Sequence, residues 1–429
     1  MIVEVINTGT EILLGHTINT HVAFLGRELF SLGLRIQRQT TVPDGNAIRD
    51  ALAESFGRAD IVLVTGGLGP TTDDVTREIT AELLGLEMEH NAEVMRAIEE
   101  RFARRGIKLT ERVRRQAQVP RGATVLANPN GTAPGLYLNA EFGIRNSELP
   151  DARSVSVSSI PHSAFRIPHL FLLPGPPREL KPMFTSLVIP ILKRILPPGE
   201  IPQSRTYRVV GLGESNVEAM VGEALIAIEG LELGYCARPG EVELRCIGTA
   251  QAIEQADAIV TQTLRDHIAS REDKLLEQVV IERMTASGKK LALAESCTGG
   301  FIAHRLTNVP GASEVLVAGF VTYANEAKST ALGVDANLIA RHGAVSAEVA
   351  GAMAEGALRC SLTDYALAVT GIAGPGGGSV EKPVGTVFIA LSTKGGATKI
   401  ERHFFPTDRE TFKWLASQAA LDLLRRALA

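Results

Sequence analysis

What this 429-residue sequence lacks narrows its class quickly. Its four cysteines are Cys236, Cys246, Cys297 and Cys360, and no two form a CxxC pair. That excludes a zinc knuckle and a thioredoxin-like redox motif. A dominant charge sign is missing too. The formal net charge is only -4, so no global basic field gathers nucleic acid or an anionic membrane. No apolar stretch approaches the roughly 20 residues that span a bilayer. The start, MIVEVINTGTEILLG, has no basic region ahead of its apolar run and does not read as a secretory signal. No short-period repeat or low-complexity tract appears. What remains is an ordinary globular balance, 45% hydrophobic and 21% charged, with enough apolar residues for more than one core. The length predicts two or three domains, and the features together predict a cytoplasmic protein.

Short apolar runs alternate with helical patterns in the first part of the chain. Ile2 to Thr8 and Ile61 to Thr65 read as buried strands, ending at Gly9 and Gly66. Residues 19–32, 75–84 and 92–105 show helical spacing, and a late strand at His169 to Leu173 leads into a helical stretch from Arg178 to Ile195. This alternation predicts a parallel sheet covered on both faces. Residues 141–168 show no period and read as an insertion or long loop, and Pro197-Pro198-Gly199 reads as a domain boundary. From Thr206 the pattern becomes β-α-β-β-α, a small α+β unit with Pro239-Gly240 in its hairpin turn. An excess of acidic over basic residues and the lack of an aromatic platform favour a spacer or dimerisation role there over nucleic-acid binding. After a charged joint at Arg271, strand-like runs at 291–294, 315–322, 366–370 and 386–391 alternate with helices, and 409–428 reads as a closing amphipathic helix. The predicted division is 1–197, 204–270 and 272–429: an α/β domain, a small α+β domain and a second α/β domain.

In the first domain, VTGGLGPTTDDVT follows a buried strand and opens a helix. Gly66, Gly67 and Gly69 allow a close backbone approach to an anion, and a helix start offers free N–H groups. Thr71 and Thr72 can donate hydroxyls. Asp73 and Asp74 can hold a divalent cation that bridges phosphates, or one of them can cap the helix. Three further clusters sit where loops are expected: GTEILLG with Glu11, NPNGTAPG, and LPGPPREL with Arg178 and Glu179. Ligands bind outside the carboxyl ends of strands in an open parallel sheet, so all four clusters can converge there. Glu11 and Glu179 then join the two aspartates as metal-ligand candidates, and Arg178 becomes a substrate contact. His21 stands alone and reads as a cap or surface residue.

In the last domain, LALAESCTGG ends a strand on a serine followed by two glycines. A serine at such a corner exposes its hydroxyl above the sheet, and the N–H groups after it can stabilise an oxyanion. Serine needs a base. No His-Asp pair has a comparable setting, since His304 and His342 fall in helix-like or turn contexts. Lys328, five residues after Tyr323 in FVTYANEAKS, can act as a desolvated amine, with Tyr323 relaying or orienting the proton. Ser296 can instead be a plain helix cap. A thiol mechanism at Cys297 is disfavoured, because a low-pKa thiolate needs no such lysine. The segment VTGIAGPGGGSVEKPVGTV again ends a strand. Thr370, Gly371, Gly374 and Gly377 in it can cradle a phosphate. Arg409 can add a bidentate phosphate contact or simply lie in solvent at a helix start.

The set GTEILLG, GGLGPTTDD, NPNGTAPG and LPGPPRELKPMF resembles the N-terminal domain of the CinA family, which is related to the molybdopterin-binding MoaB and MogA proteins. The fold implied is three-layered and MoaB/MogA-like. The activity implied is hydrolysis of ADP-ribose to AMP and ribose 5-phosphate, dependent on a divalent metal ion. His21 departs from the family pattern, where Asn19-Thr20 is followed by asparagine. The motifs AESCTGG, FVTYANEAK, TGIAGPGGGSVEKPVGTV and TDRE are similar to the C-terminal CinA domain, which resembles nicotinamide mononucleotide amidase. The reaction implied yields nicotinic acid mononucleotide and ammonia with no cofactor. Carried over, Ser296 is the nucleophile and Lys328 its base, with Tyr323 and Ser313 as helpers. Thr370 and Arg409 contact substrate. Ser313 in PGASEVL also competes with Ser296 for the nucleophile. The partners implied are small nucleotides, not a membrane and not nucleic acid directly, in a homodimer. The alternatives are a non-catalytic partner for competence or DNA repair, and a molybdopterin-binding protein.

Overall fold

The computed structural model describes residues 1–139, 168–199 and 201–428. The expected insertion, apart from Pro168, lies outside the described residues. The chain divides into two compact units, Met1–Ile201 and Pro202–Ala429.

The first unit opens with β1 (Val3–Thr8), the one-turn helix α1 (Thr10–Leu13), α2 (His21–Phe30), β2 (Ile36–Val42), α3 (Asn46–Phe56) and β3 (Ile61–Thr65). Then come α4 (Thr76–Leu83), β4 (Met88–His90), α5 (Ala92–Arg105), α6 (Glu111–Arg114), β5 (Gln118–Pro120), β6 (Thr124–Leu126) and β7 (Gly135–Leu138). It closes with β8 (His169–Leu173), α7 (Pro177–Met183) and α8 (Ile189–Ile195), which a five-residue π-turn joins. The wider turn falls between Pro182 and Pro190, each of which withholds an N–H from the helix ladder. The main sheet has the order β2-β1-β3-β8-β7-β6. Its first four strands are parallel, and β7 and β6 are antiparallel additions. The central strands β1 and β3 are buried at every position because helices cover both faces. Leu25, Leu29, Leu180 and Phe184 pack on one face; Ile48, Leu52 and Phe56 pack on the other. This is the predicted three-layer arrangement. Even Glu4 is buried inside β1, because Arg58 and Ser55 meet its carboxylate. Parallel register sets Asn7 beside Thr65 and Thr65 beside Leu173, so the loops after β1, β3 and β8 leave one edge together.

The second unit begins with β9 (Gln203–Val210), α9 (Glu214–Ile226), β10 (Glu232–Arg238), β11 (Glu241–Gly248) and α10 (Ala250–Leu264). The expected second helix stops four residues early, because Arg265 takes a positive φ of 41°. The chain then forms β12 (Ile268–Ser270), which pairs with β9 and completes a four-stranded sheet, β10-β11-β9-β12. The β-α-β-β-α reading is corrected by that added strand.

The rest of this unit runs α11 (Leu276–Ser287), β13 (Leu291–Glu295), α12 (Phe301–Thr307), β14 (Leu316–Val321), α13 (Asn325–Leu332), α14 (Ala336–His342) and α15 (Ala347–Ser361). It ends with β15 (Tyr365–Gly371), β16 (Thr386–Thr393), β17 (Lys399–Phe404) and α16 (Arg409–Ala427). The sheet order is β14-β13-β15-β16-β17; β14, β13 and β15 are parallel and the last two strands antiparallel. Helices α11, α12 and α16 cover one face, and α13 to α15 the other. The β10–β11 hairpin rests on α16. Trp414 Nε1 donates to Pro239 O at 2.9 Å, and Gln418 Nε2 donates to Glu241 at 3.0 Å.

Candidate active sites

The first candidate site is a pocket at the carboxyl edge of the first sheet. Gly9, Glu11, Asp44, Gly66, Gly67, Gly69, Asp73, Asp74 and Glu179 are among its lining residues. Gly66 and Gly67 have positive φ, 103° and 67°, and a Cβ on Gly66 would stand 2.6 Å from Thr8 Oγ1. Only glycine fits such a corner. The N–H groups of Gly67, Leu68 and Gly69 make no hydrogen bond among the described residues. They form an open row of donors beside the strand end.

The acids are arranged differently from expectation. Helix α4 starts at Thr76, not at the aspartates, and its N-cap is Val75. Neither Asp73 nor Asp74 caps it. Asp74 instead accepts from the N–H of Thr71 at 2.8 Å and from the Thr71 hydroxyl, folding back over Gly69. Glu11 folds over Gly9, and Glu179 packs over Gly131 while accepting from Asn128 at 2.8 Å. These glycines therefore make room for carboxylates as well as for an anion. Among the described residues, no three His, Cys, Asp or Glu side chains converge on a point that could hold a metal ion. The donor set fits a hard cation held by one or two carboxylates with substrate and water oxygens completing the shell, as magnesium prefers. Thr72 and Arg178 are exposed and do not line the pocket. His21 is not a surface residue. It is buried at the start of α2, Asn19 accepts from its N–H at 2.9 Å, and burial holds its imidazole below the usual histidine value.

The second candidate site stands at the carboxyl edge of the other sheet. Ser296 is the first residue after β13, and its N–H bonds to Val369 O of β15 at 3.0 Å. Lys328, in α13, reaches back under the loop. Its Nζ stands 3.2 Å from Ser296 Oγ and donates to Thr322 O at 2.9 Å. The lysine is 1% exposed, and no carboxylate pairs with it among the described residues. Burial therefore pushes its amine below the ordinary lysine value. Next to it, Cys297 is buried in the core, and burial pushes its thiol up to about 12. A protonated, enclosed thiol is no nucleophile.

The oxyanion donors are fewer than expected. Glu295, the last residue of β13, turns its carboxylate onto the start of α12. It accepts from Gly300 N at 3.0 Å, Ile302 N at 3.1 Å and Ala303 N at 2.9 Å. The helix start is thus satisfied internally. Gly299 N bonds to Ser296 O at 3.1 Å. The N–H groups of Cys297 and Thr298 have no main-chain acceptor among the described residues, and both face the Cys297 sulfur.

Tyr323 is not placed as a proton relay. It is 61% exposed, and its hydroxyl accepts from Arg409 at 2.7 Å. Arg409 also donates to Gly374 O at 2.8 Å, so it braces the glycine-rich loop against the Tyr323 loop. Thr370 is buried and donates to Ala344 O at 2.9 Å. A Cβ on Gly371 would meet Thr386 O at 2.8 Å, and one on Gly374, at φ 75°, would meet Val384 at 2.6 Å. Gly377, at φ 89°, turns the same loop. Ser313 is elsewhere. It is exposed in a 3₁₀ turn before β14, and Val315 O pairs with Leu291 N at the opposite end of β13. The length of β13 sets it roughly 17 Å from Ser296 within one chain.

Known families match along nearly the whole chain. Residues 4–194 match the model of a probable molybdopterin binding domain, 204–271 that of a damage-inducible protein CinA KH domain, and 273–428 that of a CinA C-terminal domain. A CinA-like protein of Akkermansia muciniphila is 47% identical over 419 residues, which cover 98% of this chain and 95% of the relative. The chain belongs to the CinA family. A putative competence-damage inducible protein of Caldicellulosiruptor bescii is 40% identical over all of this chain and 99% of its own. The crystal structure of the competence/damage inducible protein CihA from Agrobacterium tumefaciens is 44% identical over 36% of this chain and 93% of that one, with a TM-score of 0.35.

Within this CinA-family chain, several site residues gave no signal in the sequence. Glu295 ends an apolar strand and reads as its polar terminus, and only the fold-back of α12 reveals a cap. Thr322 acts through its main-chain oxygen, which any residue would supply. Arg305 is a buried residue of α12 and donates to Ser417, Glu277 and Gln418, each at 2.7 Å. Its guanidinium stacks on Trp414 at 4.6 Å. This network fixes α12, which follows Ser296 after a short turn. Helical spacing marks Arg305 as an ordinary surface position, so nothing in the sequence flagged it.

Proposed function

We propose that the second unit hydrolyses the carboxamide of nicotinamide mononucleotide, giving nicotinic acid mononucleotide and ammonia. The observation that supports this most is the buried amine of Lys328 at 3.2 Å from Ser296 Oγ. The substrate itself comes from the resemblance of the surrounding motifs. Neutral Lys328 takes the Ser296 proton while Oγ attacks the amide carbon. The N–H groups of Cys297 and Thr298 receive the developing oxyanion. Lys328 returns the proton to nitrogen as the C–N bond breaks and ammonia leaves. A water then loses its proton to the same amine and cleaves the serine ester, and Ser296 regains its proton. No step needs a metal. The loop carrying Thr370, Gly371, Gly374 and Gly377, braced by Arg409, surrounds the phosphate and ribose.

The first unit is proposed to hydrolyse ADP-ribose to AMP and ribose 5-phosphate. The row of unpaired N–H groups at Gly67 to Gly69 supports an anion there. Glu11, Asp73, Asp74 and Glu179 are the residues available to a divalent cation, which would neutralise pyrophosphate charge and polarise its P–O bonds. A second reading for this unit is molybdopterin binding, favoured by the description of the domain it matches. Copurification of a pterin would support it. A non-catalytic role beside competence or repair proteins is the reading that remains if neither nucleotide is turned over. The proposed setting is a cytoplasmic homodimer with small nucleotides as its partners, the middle domain serving as spacer or dimer contact.

The deciding experiment is ammonia release from nicotinamide mononucleotide, without added metal, by the full chain and by Ser296→Ala. Release by the wild type alone supports the amidase and the role of Ser296. Equal release by both removes Ser296 from the chemistry. No release by either leaves the domain as a binding module.

A further inference from the structure

A continuous line of buried polar groups runs through the second unit, and it starts in the middle domain. Arg208, on β9, donates to Asp273 at 2.8 Å and to Glu241 Oε1 at 2.8 Å. The other oxygen of Glu241 accepts from Gln418 Nε2 of α16 at 3.0 Å. Gln418 Oε1 accepts in turn from Arg305 of α12 at 2.7 Å, and the same guanidinium meets Glu277 of α11 and the Ser417 hydroxyl. Arg208, Glu241, Gln418, Arg305 and Glu277 are all buried. Burying such groups is unfavourable unless each is paired. Arg305 has little slack, because its Nε has no acceptor among the described residues.

The hairpin that carries Glu241 is pressed onto α16. A Cβ on Gly240, at φ 79°, would stand 2.9 Å from Gln418 Cγ, and Pro239 O takes the Trp414 N–H. The place of Gln418 is therefore set from the middle domain. At its other end the line reaches the serine corner. Arg305 sits in the second turn of α12, and the first turn is held by the carboxylate of Glu295, the residue before Ser296. A short helix held at both ends passes a displacement of Arg305 on to Glu295 and so to Ser296. Lys328 is anchored separately, by Thr322 O and by a helix on the other face of the sheet. The line acts on one member of the Ser296–Lys328 pair and not on the other.

We propose that Glu241 is a positioning residue of the amidase site: through Gln418 and Arg305 it sets where Ser296 Oγ stands against Lys328 Nζ. The middle domain is then a brace for the serine corner. The kinetic part of this proposal rests on the amidase reading above.

The direction of the Gln418 amide supplies the test. It is forced, because Glu241 only accepts and Arg305 only donates. The two side chains can thus be exchanged with no change of volume or net charge. Gln418→Glu sets two carboxylates face to face. Glu241→Gln sets two amide donors face to face while Arg208 still needs its acceptor. In the double variant Glu241→Gln/Gln418→Glu every donor again meets an acceptor. The full chain is assayed at a temperature where Trp414 fluorescence shows each variant folded. Each single variant is expected to lower kcat for ammonia release about 10- to 100-fold, the effect of a reacting group displaced by up to about 1 Å. KM is expected to stay within about twofold, since the substrate loop hangs on Arg409 and not on this line. The double variant is expected to return to within about threefold of the wild type, the mark of a direct coupling. Gln418→Met leaves Glu241 on Arg208 and Arg305 on Glu277, and it carries the same expectation should a single exchange prevent folding. Single variants with wild-type kcat, a change confined to KM, or a double variant no better than the worse single each overturn the proposal. Hydrogen exchange gives a second reading that needs no substrate. The amides of Gly300, Ile302 and Ala303 are expected to exchange faster in each single variant and at the wild-type rate in the double. If the wild type releases no ammonia, the amidase reading fails, and exchange alone decides the brace: restored protection in the double variant supports it, and unchanged protection in the single variants overturns it.

Discussion

Lys328 shows how much of the chemistry a single buried side chain sets. Only its neutral amine can accept the Ser296 proton, and burial lowers the pH at which that form appears. Ammonia release is therefore expected to rise with pH through the folded value, with a midpoint below the ordinary lysine value of 10.5. A pH–rate profile of the wild type measures that midpoint, and one at or above 10.5 argues against a desolvated base. Lys328→Met keeps the apolar stem and removes the amine. It is expected to lower the rate by about 10²- to 10⁴-fold, the usual worth of a general base. Cys297→Ala makes the opposite point. Its thiol is protonated and packed in the core, so the variant keeps its rate and loses about 1 kcal/mol of stability with the buried sulfur. Thermal unfolding beside an ammonia assay reads both effects. Ser296 and Lys328 were legible in the sequence because a serine at a strand end and a lysine after the next strand form a local pattern. For Tyr323, expected to relay or orient the proton, the structure shows an exposed hydroxyl paired with Arg409. Five-residue spacing puts Tyr323 near Lys328 along the chain, yet the strand-to-helix turn aims its ring outward to Arg409.

Elements hold these residues by different means. Helix α12 is fixed at its start by the Glu295 carboxylate and beneath by the Arg305 network, both buried. Arg305→Met leaves Glu277 without its partner in a dry setting, and breaking such a pair costs about 3–5 kcal/mol. Because the serine corner leads straight into this helix, kcat is expected to fall while the protein still folds at low temperature. Chemical denaturation and steady-state kinetics on the same variant test the two together. The corner after β3 depends on the absence of a side chain. A Cβ at Gly67 would overlap Thr76 Oγ1 at the beginning of α4, and the positive φ adds backbone strain. Gly67→Ala is expected to destabilise the first unit by roughly 2–3 kcal/mol, an effect of overpacking and strain that denaturant titration would measure. Elements with continuous apolar runs, such as β1, β3, β8 and β13, were readable at once, since burial on both faces demands such runs. The edge strands β2 and β17 were not, because exposed positions outnumber apolar ones there. The strand β12 hid inside an expected helix, whose end is set by one residue in a left-handed conformation.

Across the whole molecule, the two proposed activities have different requirements and should separate. EDTA is expected to abolish ADP-ribose cleavage and to leave ammonia release from nicotinamide mononucleotide intact. Persistence of the first activity in EDTA would remove the cation from that site. The chain also carries its own reporter. Its single tryptophan, Trp414, bonds to the hairpin turn of the middle domain, and the first unit has none. Tryptophan fluorescence is therefore expected to follow the middle and C-terminal domains as one cooperative transition, with any separate transition of the first unit visible only by circular dichroism. The burial of Lys328 has a further consequence for the proton balance of folding. The unfolded chain holds that proton up to 10.5, whereas the folded chain releases it at a lower pH. In the window between, folding of the second unit expels one proton, and its stability rises with pH. The heat of unfolding measured there must then depend on the ionisation enthalpy of the buffer, with a slope that counts the proton of a single lysine.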